Sequence, residues 1–259
     1  MKIYQVYIFV SILFFFGCGN SIENKGIKIP KKQSIVIGDT LNLGAAALKL
    51  VVVADTTYLD SLFKSYGLVD VQSLDSSIKV NLKYSDTLNF LKLNIYQGLQ
   101  KAYFPCEVAI SINNAQAYLK KINPDYSLII FDAARPLHIQ QMMWDSLDMP
   151  PDIKYAYLSP PFNISLHNYG CAVDLSIIDL KTNKLLNMGT DFDFFGKLSQ
   201  PAYEWHFLKT KELLPEAFEN RKLLRKVMQQ ARFYPITSEW WHFNYCTKEF
   251  AALKYKLIK

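Results

Sequence analysis

The chain has only four histidines and four cysteines in 259 residues. No Cys-x-x-Cys occurs, and no Cys/His set has the spacing of a structural zinc module, which excludes the zinc-finger classes. Neither G-x-G-x-x-G nor a P-loop is present, so the common dinucleotide and nucleotide phosphate cradles are absent. No nucleic-acid-binding module is recognisable. The net charge of +6 comes from scattered lysines, the densest run being the two in "IPKKQ". No nucleic-acid partner is therefore expected, and a basic surface of this size suits an anionic envelope polymer without requiring one. Repeats and low-complexity tracts are also missing. A spanning helix needs ~20 apolar residues, and the longest apolar run, from about Val6 to Phe16, is too short.

That short run has another meaning. In "MKIYQVYIFVSILFFFGCGN" a lysine precedes it and Gly17-Cys18-Gly19 follows, the layout of an export signal. A cysteine directly after a small residue resembles a bacterial lipoprotein signal, with Cys18 as the lipidated first residue. The departure is Phe15-Phe16-Gly17, where leucine and small residues are usual. A plain cleaved signal or an uncleaved anchor shares the first two features. The expected layout is a signal at 1–17, a tether at 18–67 that is polar and broken by Gly and Pro, and one domain at 68–259. Within the tether, "LKLVVVADTTYLDSLFKSYG" has room for a short strand and a helix. The other cysteines, Cys106, Cys171 and Cys246, allow at most one disulfide within the chain.

Half of the residues are hydrophobic and 14% aromatic, ample for one sizeable core. "IKVNLKYS" (78–85) alternates like a half-buried strand, and "CEVAISINNAQAYLKKI" spaces Val108, Ile112, Ala115, Leu119 and Ile122 as a helix face. "YSLIIFDA", "CAVDLSIIDL" and "WWHFNYC" read as strands. "PLHIQQMMWDSL" and "ENRKLLRKVMQQA" read as helices. Strands and helices mix without a βαβ rhythm. The expected fold is α+β, a mainly antiparallel central sheet flanked by helices.

Two histidines keep unusual company. His167 lies in "SLHNYGCAVDLSI", where Gly170 permits a turn that brings it beside Asp174 in the next strand. In "TSEWWHFNY" Glu239 stands three before His242. Two imidazoles, one ligating carboxylate and one spare carboxylate are the inventory of a catalytic zinc site. A buried histidine bonded to a nearby acid uses the same residues. "YEWHF" competes, because on a strand Glu204 and His206, two apart, share a face while Glu239 and His242 do not. Glu239 and His242 converge only if the backbone bends between them. His138 falls on a helix face and is not expected to be a ligand.

Ser165-x-His167-x-x-Gly170-x-Ala172-Val173-Asp174, followed by Glu239-x-Trp241-His242, resembles the D-alanyl-D-alanine dipeptidases, zinc peptidases of the D,D-peptidase/Hedgehog fold group. "FDAARP", "MGTDFDFF" and "NRKLLRKVMQQARFYPITSEWWHF" extend the likeness, in family order, over about residues 68–250. The resemblance implies one zinc ion per chain on His167, Asp174 and His242, with Glu239 as general base. It implies Arg135 at the oxyanion and Asp193, rather than nearby Asp191, at the substrate's amino terminus. Ser165 matches a substrate-contacting serine, although capping a turn is its simpler role. Tyr84 and Phe90 fall where the family has pocket aromatics, and Asp132 and Asp179 are read as structural. Glu204 and His206 match no family motif.

The implied activity is zinc-dependent hydrolysis of D-alanyl-D-alanine to two D-alanines. With the lipoprotein signal, that places the protein in the bacterial envelope, held to a membrane by lipid and serving cell-wall peptide turnover. A D,D-carboxypeptidase acting on stem peptides is the nearest rival. A non-catalytic wall-binding lipoprotein is a further alternative, which would need neither Glu239 nor Arg135.

Overall fold

Thr57 opens the fold with a capping box. Its hydroxyl accepts from the Asp60 N–H at 3.1 Å, and the Asp60 carboxylate accepts from the Thr57 N–H at 2.8 Å. Helix α1 (Tyr58–Ser65) then places Leu59 and Phe63, four apart, in the main core. The computed structural model describes residues 57–150, 154–155 and 158–259. The expected signal, Cys18, the strand near 48–53 and most of the tether lie outside these residues. The core begins ahead of the expected boundary at Leu68, because an amphipathic helix must bury its apolar face. Phe63 buries against Tyr103, ring centroids 5.3 Å apart.

Strand β1 (Val69–Asp70) joins β3 (Tyr103–Phe104) in a small antiparallel ribbon. The main sheet runs β2 (Lys79–Val80), β4 (Tyr126–Asp132), β5 (Ala172–Asp179), β8 (His242–Asn244), β7 (Tyr234–Pro235), with β6 (Lys184–Leu185) also on β5. All its pairings are antiparallel except β2 with β4, which is parallel. The sheet is therefore mixed: the mainly antiparallel expectation holds in part and fails at β2. The physical reason is the connection: the chain between β2 and β4 includes helix α2 (Cys106–Ile122), and such a crossover returns the chain in its starting direction. Alternation along 78–85 reports which residues are buried and is blind to a neighbour's direction.

One sheet face carries Leu128, Ile130, Val173, Leu175 and Ile177. It belongs to one core with Val108, Ile112 and Leu119 of α2 and with Leu224, Val227 and Met228 of helix α5 (Pro215–Gln230). Each such side chain, fully buried, contributes ~1.5–3 kcal/mol. The opposite face carries Ile129, Phe131 and Ile178 under Phe192. On β5 that face also presents Asp174 and Ser176, since residues two apart point the same way. Helices α3 (Leu137–Ser146), α4 (Glu204–Thr210) and α6 (Lys248–Lys254) complete the regular structure used below.

Candidate metal centre and active site

Asp132, Asp174 and His242 lie in register across β4, β5 and β8, with a bulge between Ile130 and Asp132. His167 reaches the same place from a single 3-10 turn, Leu166–Tyr169, that precedes β5. Ser165 caps that turn, its hydroxyl accepting from the His167 N–H at 3.3 Å. Gly170 ends it at φ +66°, where a Cβ would stand 2.8 Å from Pro105 Cδ. Glycine is therefore needed both for the left-handed turn and for the close approach.

Three ligand atoms converge. His167 Nε2 is 3.3 Å from His242 Nδ1 and 3.4 Å from Asp174 Oδ1, and His242 Nδ1 is 2.9 Å from Asp174 Oδ1. The far side of each ring is anchored. His167 Nδ1 meets the Ala133 carbonyl at 2.8 Å, and His242 Nε2 meets Asn244 Oδ1 at 2.8 Å. Both anchors accept, so each anchored nitrogen carries a proton and the other nitrogen faces the centre, where His242 Nδ1 would give up its own proton to a metal. The two imidazole nitrogens and the carboxylate oxygen all lie within 4.8 Å of one another. This donor set fits a divalent metal with a coordination position left open.

The backbone bends at Trp240 and Trp241, just before β8. The bend brings Glu239 Oε2 to 3.9 Å from His242 Nδ1 despite their odd spacing. Both tryptophans are buried. Trp240 is pinned by its indole N–H to Thr190 Oγ1 at 2.8 Å, and its backbone N–H donates to Ser199 at 3.1 Å. Trp241 packs edge-on against Phe192. The rival pair parts company. Glu204–Phe207 of "YEWHF" open α4, so Glu204 turns inward to Arg221 and Arg225 while His206 is exposed. His138 is exposed on α3.

A cavity of about 260 Å³ opens on the centre, lined by Tyr84, Phe90, Arg135, Ser165 and Asp193 as well as by Glu239 and the three ligand residues. Arg135 is buried rather than a surface arginine. Its Nε donates to Asp132 Oδ2 at 3.0 Å, Nη2 donates to the same oxygen, and Nη1 donates to Gln140 Oε1 at 2.7 Å. Asp193 sits in a turn at φ +58°, a conformation uncommon outside glycine and a mark of functional sites when held in place. Tyr84 holds it, donating to Asp193 Oδ2 at 2.8 Å. Asp191 is exposed and lines only the adjoining outer cleft.

The electrostatics follow from this crowding. Burial works to lower His242, yet the hydrogen bond and charge of Asp174 outweigh it and raise it to about 9. Burial works to raise Asp174, but the two histidines hold it well below the usual carboxylate range. Burial pushes Glu239 up, His242 offsets part of this, and Asp174 adds to it. Asp193 is pushed well up by burial, with Tyr84 pulling the other way and Asp174 and Glu239 adding to the rise.

Sequence reasoning left out Asn244, Gln140 and Lys248, and gave Asp132 no function. Two signals were available. Asn244 is two from His242 on a strand and so shares its face. Asp132 is three before Arg135, which is next to the proline that precedes a helix.

A mixed α+β domain with a two-histidine, one-aspartate centre, a carboxylate beside it and a buried arginine defines a metallopeptidase. The chain belongs to the D-ala-D-ala dipeptidase family, whose model matches residues 64–256. It is 30% identical over 180 residues to the D-alanyl-D-alanine dipeptidase of Escherichia coli, covering 68% of this chain and 83% of that one. It is 27% identical over 177 residues to the D-alanyl-D-alanine dipeptidase of a Synechocystis species, covering 58% and 71%. It is 28% identical over 150 residues to the enzyme of the same name from Enterococcus faecalis, covering 53% and 70%.

Proposed function

We propose that this protein hydrolyses D-alanyl-D-alanine to two D-alanines with one zinc ion on His167, Asp174 and His242, outside the cytoplasm and held to a membrane by lipid on Cys18. The observation that carries the catalytic reading is the convergence of Glu239, Arg135 and Asp193 on the ligand set within one 260 Å³ cavity. That volume is below the range of sites for drug-sized ligands and suits a dipeptide.

When bound, zinc supplies Lewis acidity, making water a better acid and drawing electrons from the scissile carbonyl. Glu239, raised by burial toward the working pH, takes the proton of the attacking water. The water oxygen bonds to the carbonyl carbon, the C–N bond breaks, and Glu239 returns the proton to the leaving nitrogen. Arg135 has five N–H donors and commits three to Asp132 and Gln140, which leaves two for the oxygen on which negative charge develops. The guanidinium is thus set in place before reaction. Asp193 receives the substrate's ammonium, and Ser165 lines the cavity while capping the turn that carries His167.

The free-amine requirement separates this enzyme from a carboxypeptidase of stem peptides. The purified protein is expected to cleave D-Ala-D-Ala and to leave its N-acetyl analogue nearly untouched. Equal cleavage of both would transfer the assignment to the carboxypeptidase, and cleavage of neither would favour a non-catalytic role. The anchor rests on residues 1–20 alone, since among the described residues no helix is long and apolar enough to cross a membrane. Cys18→Ser should move the protein from the membrane fraction to the soluble fraction of expressing bacteria. Unchanged partition would remove the lipid reading.

A further inference from the structure

We infer that Lys248 binds the C-terminal carboxylate of the substrate and so sets the preference for a free dipeptide. The inference rests on the dipeptidase reading and extends it to the other end of the substrate. Among the described residues, the cavity is lined by three acids, Asp174, Asp193 and Glu239, and by two cations, Arg135 and Lys248. Arg135 is already matched with buried Asp132 and locked by Gln140, so its charge is largely compensated. Lys248 opens α6, six residues beyond His242, and its ammonium forms no salt bridge among the described residues.

A dipeptide at neutral pH carries one ammonium and one carboxylate. The chain advances ~3.3–3.6 Å per residue at most, so both charges must be met within this one small cavity. The ammonium has Asp193. With the metal's charge taken up by its ligands, the water and the scissile carbonyl, a carboxylate entering beside Glu239 meets a like charge unless another cation answers it. Lys248 is the cation whose charge is not already matched. Its Nζ donates to Asn163 Oδ1 at 2.8 Å, which steadies the flexible stem and leaves two of its three N–H donors for a carboxylate. The side chain is exposed at the mouth, so its charge stays solvated until substrate arrives.

The test compares D-Ala-D-Ala with D-alanyl-D-alaninamide, whose C-terminus is neutral, in steady-state kinetics of the zinc-loaded wild type, Lys248→Met and Lys248→Arg. The wild type should favour the acid over the amide on the order of tenfold, as expected for one charged hydrogen bond. Lys248→Met should raise KM for the acid by a similar factor, change kcat little and lose the acid-over-amide preference. Lys248→Arg should keep that preference. If Lys248→Met discriminates between acid and amide as the wild type does, Lys248 has no such role. A wild type that cleaves neither compound overturns the dipeptidase reading and this inference with it, an outcome distinct from the failure of Lys248 alone.

Discussion

Glu239 and His242 stand three apart on a segment that ends as a strand, yet their side chains meet at 3.9 Å. The bend at Trp240 and Trp241 makes this possible, and the buried indoles hold it. At 3.9 Å Glu239 makes no hydrogen bond to His242, so a neutral amide in its place breaks none within the ligand set. Glu239→Gln should therefore retain one metal ion per chain while kcat for D-Ala-D-Ala falls about 10²–10⁴-fold. Metal analysis and kinetics on one preparation check this, and an active Glu239→Gln would remove the general base from the account. At this scale the turn and strand pattern marked His167, Asp174 and His242 as candidates, and only the family motifs favoured a ligand set over a buried histidine bonded to an acid. Spacing did not settle the choice between Glu239–His242 and Glu204–His206. Strand geometry favoured the wrong pair, because four residues of "YEWHF" cannot announce that they begin a helix. Family motifs, rather than spacing, pointed to the right one.

Helix α1 shows how a short element is fixed by its cap. Asp60 is buried, and burial works to raise its carboxyl. The Thr57 N–H, the Tyr103 hydroxyl at 2.8 Å and the Thr57 hydroxyl outweigh that and hold it below the usual carboxylate value. A folded-state pKa depressed in this way adds stability above the unfolded value of about 3.9, and the contribution disappears as pH falls through the folded value. Asp60→Asn should lower stability at pH 7 by about 1 kcal/mol. The gap from wild type should close as pH drops below about 4. Urea midpoints at several pH values check this, and a gap that stays constant with pH would refute the linkage. Among elements, α2 was legible to its ends, since five apolar positions at helical spacing stop at Asn123-Pro124. The parallel pairing of β2 was not, because direction is set by a connection that alternation does not encode.

The whole domain uses one sheet twice: one face makes the core with α2 and α5, and the other presents Asp174 and Ser176. On that second face two cavities adjoin, the 260 Å³ site and an outer cleft of about 820 Å³, sharing Phe90 and Asp193 as the partition between them. The core formed by β4, β5 and α2 does not depend on the ligand set, so removing metal should cost activity before it costs the fold. The most direct test of the central claim is a zinc titration of metal-stripped protein, read by D-alanine released from D-Ala-D-Ala. Release should be absent without metal, rise linearly and level off at one zinc per chain. Full activity in the metal-stripped protein, or a plateau at two equivalents, would contradict a single ion held by His167, Asp174 and His242.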